Sequence, residues 1–142
     1  LYLDLQKAFD TVNHNILLNK LSNYGVRGVA HQWFKSYLHD RKQYTCINSA
    51  NSRLANITCG VPQGSVLGPL LFLIYINGIG NAVPEETVKL FADDTNLFVA
   101  GKTIALANEK VNQSITLLNQ WFLANKLSLN TSKTCYMVFP LT

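Results

Sequence analysis

The 142-residue sequence predicts an α+β fold: an antiparallel sheet with helices packed on one of its faces. Three observations predict it. Short runs with apolar side chains at every second position occur near both ends of the chain and again around residues 88–100. Between them lie segments whose apolar residues recur at helical spacing. The strand-like runs near residue 93 are joined by a tight turn rather than a long crossover, so they pair antiparallel.

Each element has its own signal. Residues 1–5 read as a strand with Leu1, Leu3 and Leu5 on one face and Tyr2 and Asp4 on the other. Residues 13–24 carry Ile16, Leu17, Leu21 and Tyr24 at helical spacing, and Gly25 stops the helix. A second helix is predicted over 29–38. Residues 43–47 and 54–59 read as a strand pair joined by the polar turn 48–52. The stretch 59–78 begins as a loop punctuated by Gly and Pro. It ends, up to about Asn77, as a segment apolar all round, which predicts a helix buried in the core. Residues 88–92 and 96–100 form two strands around a turn at Asp93, Asp94 and Thr95. Ile104, Ala107, Val111, Ile115, Leu118 and Phe122 mark one stripe of a long amphipathic helix, and a last strand is predicted at 135–139.

Composition narrows the class. The chain is 48% hydrophobic and 14% charged, which excludes disorder and fits one domain over residues 1–142. The net charge of +4 leans toward an acidic partner such as nucleic acid. Cys46, Cys59 and Cys135 are odd in number and far apart, so they predict neither a disulfide framework nor a zinc site. They are read as small buried hydrophobes in a reducing compartment. The longest apolar run, 66–76, contains Gly68 and Pro69 and falls short of the roughly 20 residues of a membrane helix. No signal peptide is evident, and the Asn-x-Ser/Thr triplets at Asn56, Asn112 and Asn130 are read as coincidence in an Asn-rich chain. The chain opens on Leu1 inside a strand-like run and stops just after another, which predicts a fragment of a larger protein.

The carboxylates carry the chemistry. Of the eight acidic residues, Asp4, Asp93 and Asp94 stand among hydrophobic neighbours. Adjacent like charges at a buried position are costly unless something offsets them. A sheet with helices on one face can bring Asp4 and Asp93 together on the other, where divalent cations make such a cluster tolerable. Two Mg²⁺ ions roughly 3.5–4 Å apart would then clamp the oxygens of a phosphoryl transfer. An Asp-Asp pair at a hairpin is, by itself, ordinarily a turn former. Asp10, ahead of Thr11 and a helix, reads as a helix cap.

Four motifs in order sharpen this reading: "LYLDLQKAFDTV", "GVPQGSVLGPLLF", "LFADDTNLF" and "NKLSLNTSKT". Together they resemble the palm region of reverse transcriptases, in particular those of non-LTR (LINE-like) retrotransposons. The resemblance implies a polymerase palm with a ferredoxin-like split βαβ sheet. It makes Asp4, Asp93 and Asp94 the catalytic metal-binding aspartates, with the carbonyl of Leu5 as a further metal ligand. Phe9 matches the aromatic gate beside the incoming sugar, Gln63 and Gly64 the loop beside nucleotide and template, and Lys133 a basic residue near the triphosphate. The implied cofactor is Mg²⁺, two ions, with Mn²⁺ as substitute. The implied partners are an RNA template, a DNA primer and dNTPs, with no membrane.

The resemblance further implies an intracellular place of action, nucleus and cytoplasm. Fingers and thumb regions of the same polyprotein are expected outside this chain, and the chain alone is expected to be inactive. Three alternatives stay open. A group II intron reverse transcriptase shares the Ala-Asp-Asp pattern. A non-catalytic transposon relic would at most bind nucleic acid, and an unrelated Mg²⁺ phosphohydrolase could use the same carboxylates.

Overall fold

A computed structural model describes residues 1–139, so the last three positions of the predicted domain, 140–142, lie outside the described residues. Among these the chain is mixed α+β, as expected. The order begins with β1 (Tyr2–Leu3), a 3₁₀ turn (Ala8–Asp10), α1 (His14–Asn23) and α2 (Gly28–Leu38). Four two-residue strands follow: β2 (Lys42–Gln43), β3 (Cys46–Ile47), β4 (Ala50–Asn51) and β5 (Ala55–Asn56). Then come α3 (Leu67–Ile76), a 3₁₀ segment (Asn77–Ala82), β6 (Thr87–Phe91), β7 (Asp94–Phe98) and α4 (Ile104–Ala124).

The central sheet has the order β1-β7-β6, antiparallel throughout. Tyr2 lies opposite Asn96 and Leu3 opposite Thr95. Tyr2 also bridges Cys135, and beyond β1 Leu5 bridges Leu129. Leu3, Thr95 and Leu97 are buried on the face toward the helices, while Tyr2, Asp94 and Asn96 lie on the other face and are half-buried. Period-2 alternation thus does what it predicted: it separates the apolar set from the polar one.

Phe72, Tyr75, Phe122, Leu17, Leu21, Leu38 and Leu118 fill the core, each essentially sealed from solvent. Burial of such a side chain contributes about 1.5–3 kcal/mol. The Tyr75 hydroxyl ties the layers together. It donates to the Asn125 carbonyl at the end of α4 (2.5 Å) and accepts from the Asn13 N–H at the start of α1 (3.2 Å). Burial pushes this phenol upward, with the Asn13 bond pulling the other way.

Several expectations need correction. The hairpin turns at Ala92 and Asp93, not at Asp93 to Thr95: Ala92 takes a left-handed backbone (φ 53°), Phe91 already pairs with Asp94, and Thr95 sits inside β7. The strand pair 43–47 and 54–59 breaks into two short ladders, because Asn48 and Ser49 both adopt positive φ (49° and 67°) and make a two-residue turn. α3 is not buried all round: Leu70 and Leu73 face solvent, opposite the stripe that meets α1. In α4 the stripe is buried at Leu118 and Phe122, but Ile104 at its start is exposed. Only Cys135 of the last predicted strand bridges a neighbour, and 136–139 are exposed. The three cysteines are exposed rather than buried, since no element covers the positions they occupy. Asp10 caps nothing; Asn13 caps α1, its side-chain oxygen accepting from the Ile16 N–H at 3.1 Å.

Candidate active site

The polar face of the sheet is assembled by backbone bonds. Beyond β1, the Asp4 carbonyl accepts from the Asn130 N–H (2.8 Å), and the Gln6 N–H donates to the Ser128 carbonyl (2.9 Å). The turn after Asn130, where the Lys133 N–H donates to the Asn130 carbonyl (3.1 Å), carries Lys133 to the same side. Lys7 then takes a left-handed backbone (φ 46°), which reverses the chain into the 3₁₀ turn and positions Phe9. The Phe9 ring stacks on Phe72 of α3 with centroids 4.6 Å apart.

The loop before α3 is pinned to this turn. The Val61 N–H donates to the Phe9 carbonyl (2.9 Å), and the Gly60 N–H to the Val12 carbonyl (2.8 Å). A Cβ on Gly60 would lie 2.9 Å from the Asp10 carbonyl oxygen, so this close approach requires glycine. The Gln63 amide donates to the Asp10 carboxylate at 2.8 Å, which orients Gln63. That is what Asp10 does in place of capping.

These contacts produce a cleft of about 550 Å³ lined by Asp4, Leu5, Phe9, Gln63, Asp93, Asn130 and Lys133, among others. Six of the predicted site residues therefore converge: Asp4, Leu5, Phe9, Gln63, Asp93 and Lys133. Gly64, in a left-handed conformation (φ 78°), sits one residue beyond the lining. Asp94 stands apart from it, at the start of β7, where it accepts a short hydrogen bond from the Tyr2 hydroxyl. That phenol is pushed up to about 12, first by the hydrogen bond to Asp94, then by burial and by the charges of Asp94, Asp4 and Asp93. All three carboxylates thus act on one point.

The lining suits a hard divalent cation: it offers carboxylate and amide oxygens and no thiol or imidazole. Among the described residues no three His, Cys, Asp or Glu side chains gather tightly enough to hold an ion by themselves. Asp4 and Asp93 are the residues that would hold such a cation, since one or two carboxylates suffice for Mg²⁺. Two contributors were not singled out from sequence. Tyr2 was legible, because alternation already put it on the Asp4 face. Asn130 had no signal beyond a turn-forming residue type.

The family of reverse transcriptases (RNA-dependent DNA polymerases) matches residues 1–140, and the chain belongs to it. The chain is 30% identical over 145 residues to the RNA-directed DNA polymerase from mobile element jockey of Drosophila melanogaster, an alignment covering 97% of this chain and 16% of the relative. It is 31% identical over 153 residues to the probable RNA-directed DNA polymerase from transposon BS of the same fly, covering 99% of this chain and 16% of the relative. A putative COX1/OXI3 intron 2 protein of Saccharomyces cerevisiae is 33% identical over 75 residues, covering 53% of this chain and 8% of that protein. The chain thus spans about a sixth of the length of the fly relatives it matches.

Proposed function

We propose that this chain is the palm of an RNA-directed DNA polymerase of a non-LTR retrotransposon. The observation that carries the reading is the convergence of Asp4 and Asp93, some ninety residues apart in sequence, on one open cleft with Phe9, Gln63 and Lys133. The similarity to fly transposon polymerases covers nearly the whole chain and that to the intron protein about half, which favours the retrotransposon over the intron type. The sheet order supports a split βαβ arrangement: the Cys135 segment bridges β1 on one side and β7 pairs with it on the other, so the four segments run Cys135, β1, β7, β6.

In the proposed reaction a primer 3′-oxygen bonds to the α-phosphorus of a dNTP, the bond to the β-phosphate breaks in line, and pyrophosphate leaves, with an RNA template selecting the base. Asp4 and Asp93 would hold the cations, assisted by the Leu5 carbonyl, and Asp94 would join them on leaving its hydrogen bond with the Tyr2 hydroxyl. Mg²⁺, two ions when bound, supplies Lewis acidity to the attacking hydroxyl and charge stabilisation to the leaving oxygen. Lys133 places a positive charge where the triphosphate enters. The Phe9 ring, held by Phe72, walls the cleft where a 2′-hydroxyl would project, which favours deoxynucleotides. Asp10 fixes the Gln63 amide beside nucleotide and template. Such an enzyme works where element RNA and target DNA meet, in cytoplasm and nucleus, and needs fingers and thumb supplied by the longer protein.

The test is Asp93→Asn in the longer protein that carries this chain, read as primer extension on an RNA template with Mg²⁺. A loss of at least about a hundred-fold is expected, the scale of removing one transition-state electrostatic partner. Undiminished synthesis would remove Asp93 from the metal-ligand role, and efficient extension by the 142-residue chain alone would overturn the dependence on fingers and thumb.

A further inference from the structure

Tyr2 has no part in the proposed reaction, yet its hydroxyl donates to the carboxylate of Asp94. The sheet brings the two together. In the β1–β7 ladder Tyr2 lies opposite Asn96 and Leu3 opposite Thr95, so Asp94 is the diagonal neighbour of Tyr2 on the same face. Diagonal neighbours across antiparallel strands stand roughly 7–8 Å apart, a span that an aromatic side chain bridges. The same register, carried one residue further, sets Asp94 across from Asp4. Two carboxylates facing each other repel, which favours a donor that draws one of them aside. Among the described residues Asp94 is the one carboxylate of the site that accepts a side-chain hydrogen bond. The cleft matches this arrangement: Asp4 and Asp93 line it and Asp94 does not. Core packing does not explain Tyr2. It lies half-buried on the polar face, away from the sealed layer of Leu3, Thr95 and Leu97.

Bound to Tyr2, Asp94 stands outside the cleft, and to reach a cation held by Asp4 and Asp93 it must leave the phenol. A ligand held in another state lowers the apparent affinity by the fraction of time it is available. We propose that Tyr2 is a positioning residue: its hydroxyl competes with the divalent cations of the cleft for Asp94 and so sets how tightly they bind. A neutral donor suits that task. A Lys or Arg in its place would hold the carboxylate by charge as well and release it less readily. The proposal rests on the catalytic reading of Asp4 and Asp93, and adds to it a residue that touches neither substrate nor cation.

The test reads cation binding as well as activity, in the longer protein that carries this chain. Mn²⁺ titrations followed by electron paramagnetic resonance define the cleft as the binding component that Asp4→Asn removes. Tyr2→Phe, which keeps the ring and loses the hydroxyl, is expected to tighten that component roughly tenfold, the effect of freeing a ligand that is available about one part in ten. Tyr2→Leu, which loses the ring as well, is expected to tighten it likewise. In an Asp94→Ala background Tyr2→Phe is expected to change nothing, because the group for which the hydroxyl competes is gone. The Mg²⁺ concentration that half-saturates primer extension is expected to fall in step, with KM for the dNTP unchanged. A merely structural Tyr2 would lower the denaturation midpoint and leave the Mn²⁺ affinity alone. Circular dichroism checks that each variant folds. Unchanged or weaker Mn²⁺ binding in Tyr2→Phe, or an equal gain in the Asp94→Ala background, overturns the proposal and leaves the catalytic reading standing. A Mn²⁺ isotherm indifferent to Asp4→Asn overturns the catalytic reading, and this proposal with it.

Discussion

Two clefts of nearly equal size, about 550 and about 530 Å³, differ in charge and rest on opposite kinds of support: the first sets Asp4 and Asp93 beside Lys7 and Lys133, the second sets Arg41 and Lys42 against Asp40. The carboxylate cleft stands on the central sheet, where Leu3, Thr95 and Leu97 are sealed beneath the polar face. The basic cleft stands at the periphery: α2 fully buries only Leu38, and every residue of β2, β3, β4 and β5 is exposed. On the proposed reading the difference follows from what the carboxylate cleft would hold. Like charges converging on one point require a backbone that cannot yield, because a small displacement either breaks the site or lets the carboxylates separate. The second cleft makes no such demand, because its opposite charges attract.

The largest expected effect tests that support directly. Leu97 is 1% exposed and pairs with Val88 across the hairpin. Leu97→Ala is expected to cost about 2–5 kcal/mol, seen as a lowered denaturant midpoint. At temperatures where the variant remains folded, extension by the longer protein is expected to fall. A midpoint like that of the parent would mean that the sheet is not the rigid support described. Phe9→Ala asks a finer question of the same cleft. Extension with ribonucleotides is expected to gain at least about tenfold relative to deoxynucleotides, the scale on which a pocket discriminates a small group. An unchanged ratio would reduce Phe9 to the packing partner of Phe72.

The support was more legible in sequence than the site it carries. The helices of residues 13–24 and 29–38 and the long stripe ending at Phe122 lie within a few residues of α1, α2 and α4, because their period is written locally. The turn between β6 and β7 was displaced because Asp and Thr are strong turn and cap formers, whereas Ala92 in a left-handed conformation announces nothing. The exposed cysteines and the exposed end at 136–139 were misread for a shared reason: an apolar pattern states what a segment wants to bury, not whether a partner covers it. The meeting of Asp4 with Asp93 depends on sheet register, which no local pattern specifies. It came from the order of four motifs. The basic cleft passed unnoticed, because each residue in it is unremarkable alone.

A smaller effect concerns the buried side of the carboxylate hairpin. The Thr95 hydroxyl is sealed from solvent and has no hydrogen-bond partner among the described residues, although its backbone is paired on both sides, opposite Leu3 and Leu90. A buried hydroxyl without a partner carries its desolvation penalty uncompensated. Thr95→Val keeps the branched shape that a strand favours and removes the oxygen. It is expected to raise stability by about 1 kcal/mol, measured as a higher midpoint in chemical denaturation. A fall of similar size would show that the hydroxyl has a partner in solution, such as a water held beneath the carboxylates.

A last effect, read by pH, distinguishes the buried core around Lys20 from the carboxylate face around Tyr2. Lys20 donates to the Tyr75 carbonyl and lies 4.8 Å from the centroids of both the Tyr75 and Trp121 rings, and burial lowers its ammonium to about 8 from the usual 10.5. The folded state therefore holds fewer protons than the unfolded one between about pH 8 and 10.5, so stability rises with pH through that window. Tyr2 acts in the opposite sense. Its folded value of about 12 exceeds the usual 10, so its contribution is complete below pH 10 and is lost as pH rises through 12. Urea midpoints are expected to climb gently above pH 8 and then fall beyond pH 10. Lys20→Met should flatten the rise and Tyr2→Phe should soften the fall, because only Tyr2 faces the three carboxylates. A profile indifferent to Tyr2→Phe would mean that Asp94 is not held by Tyr2 in solution, which would free it to join Asp4 and Asp93 in the cleft.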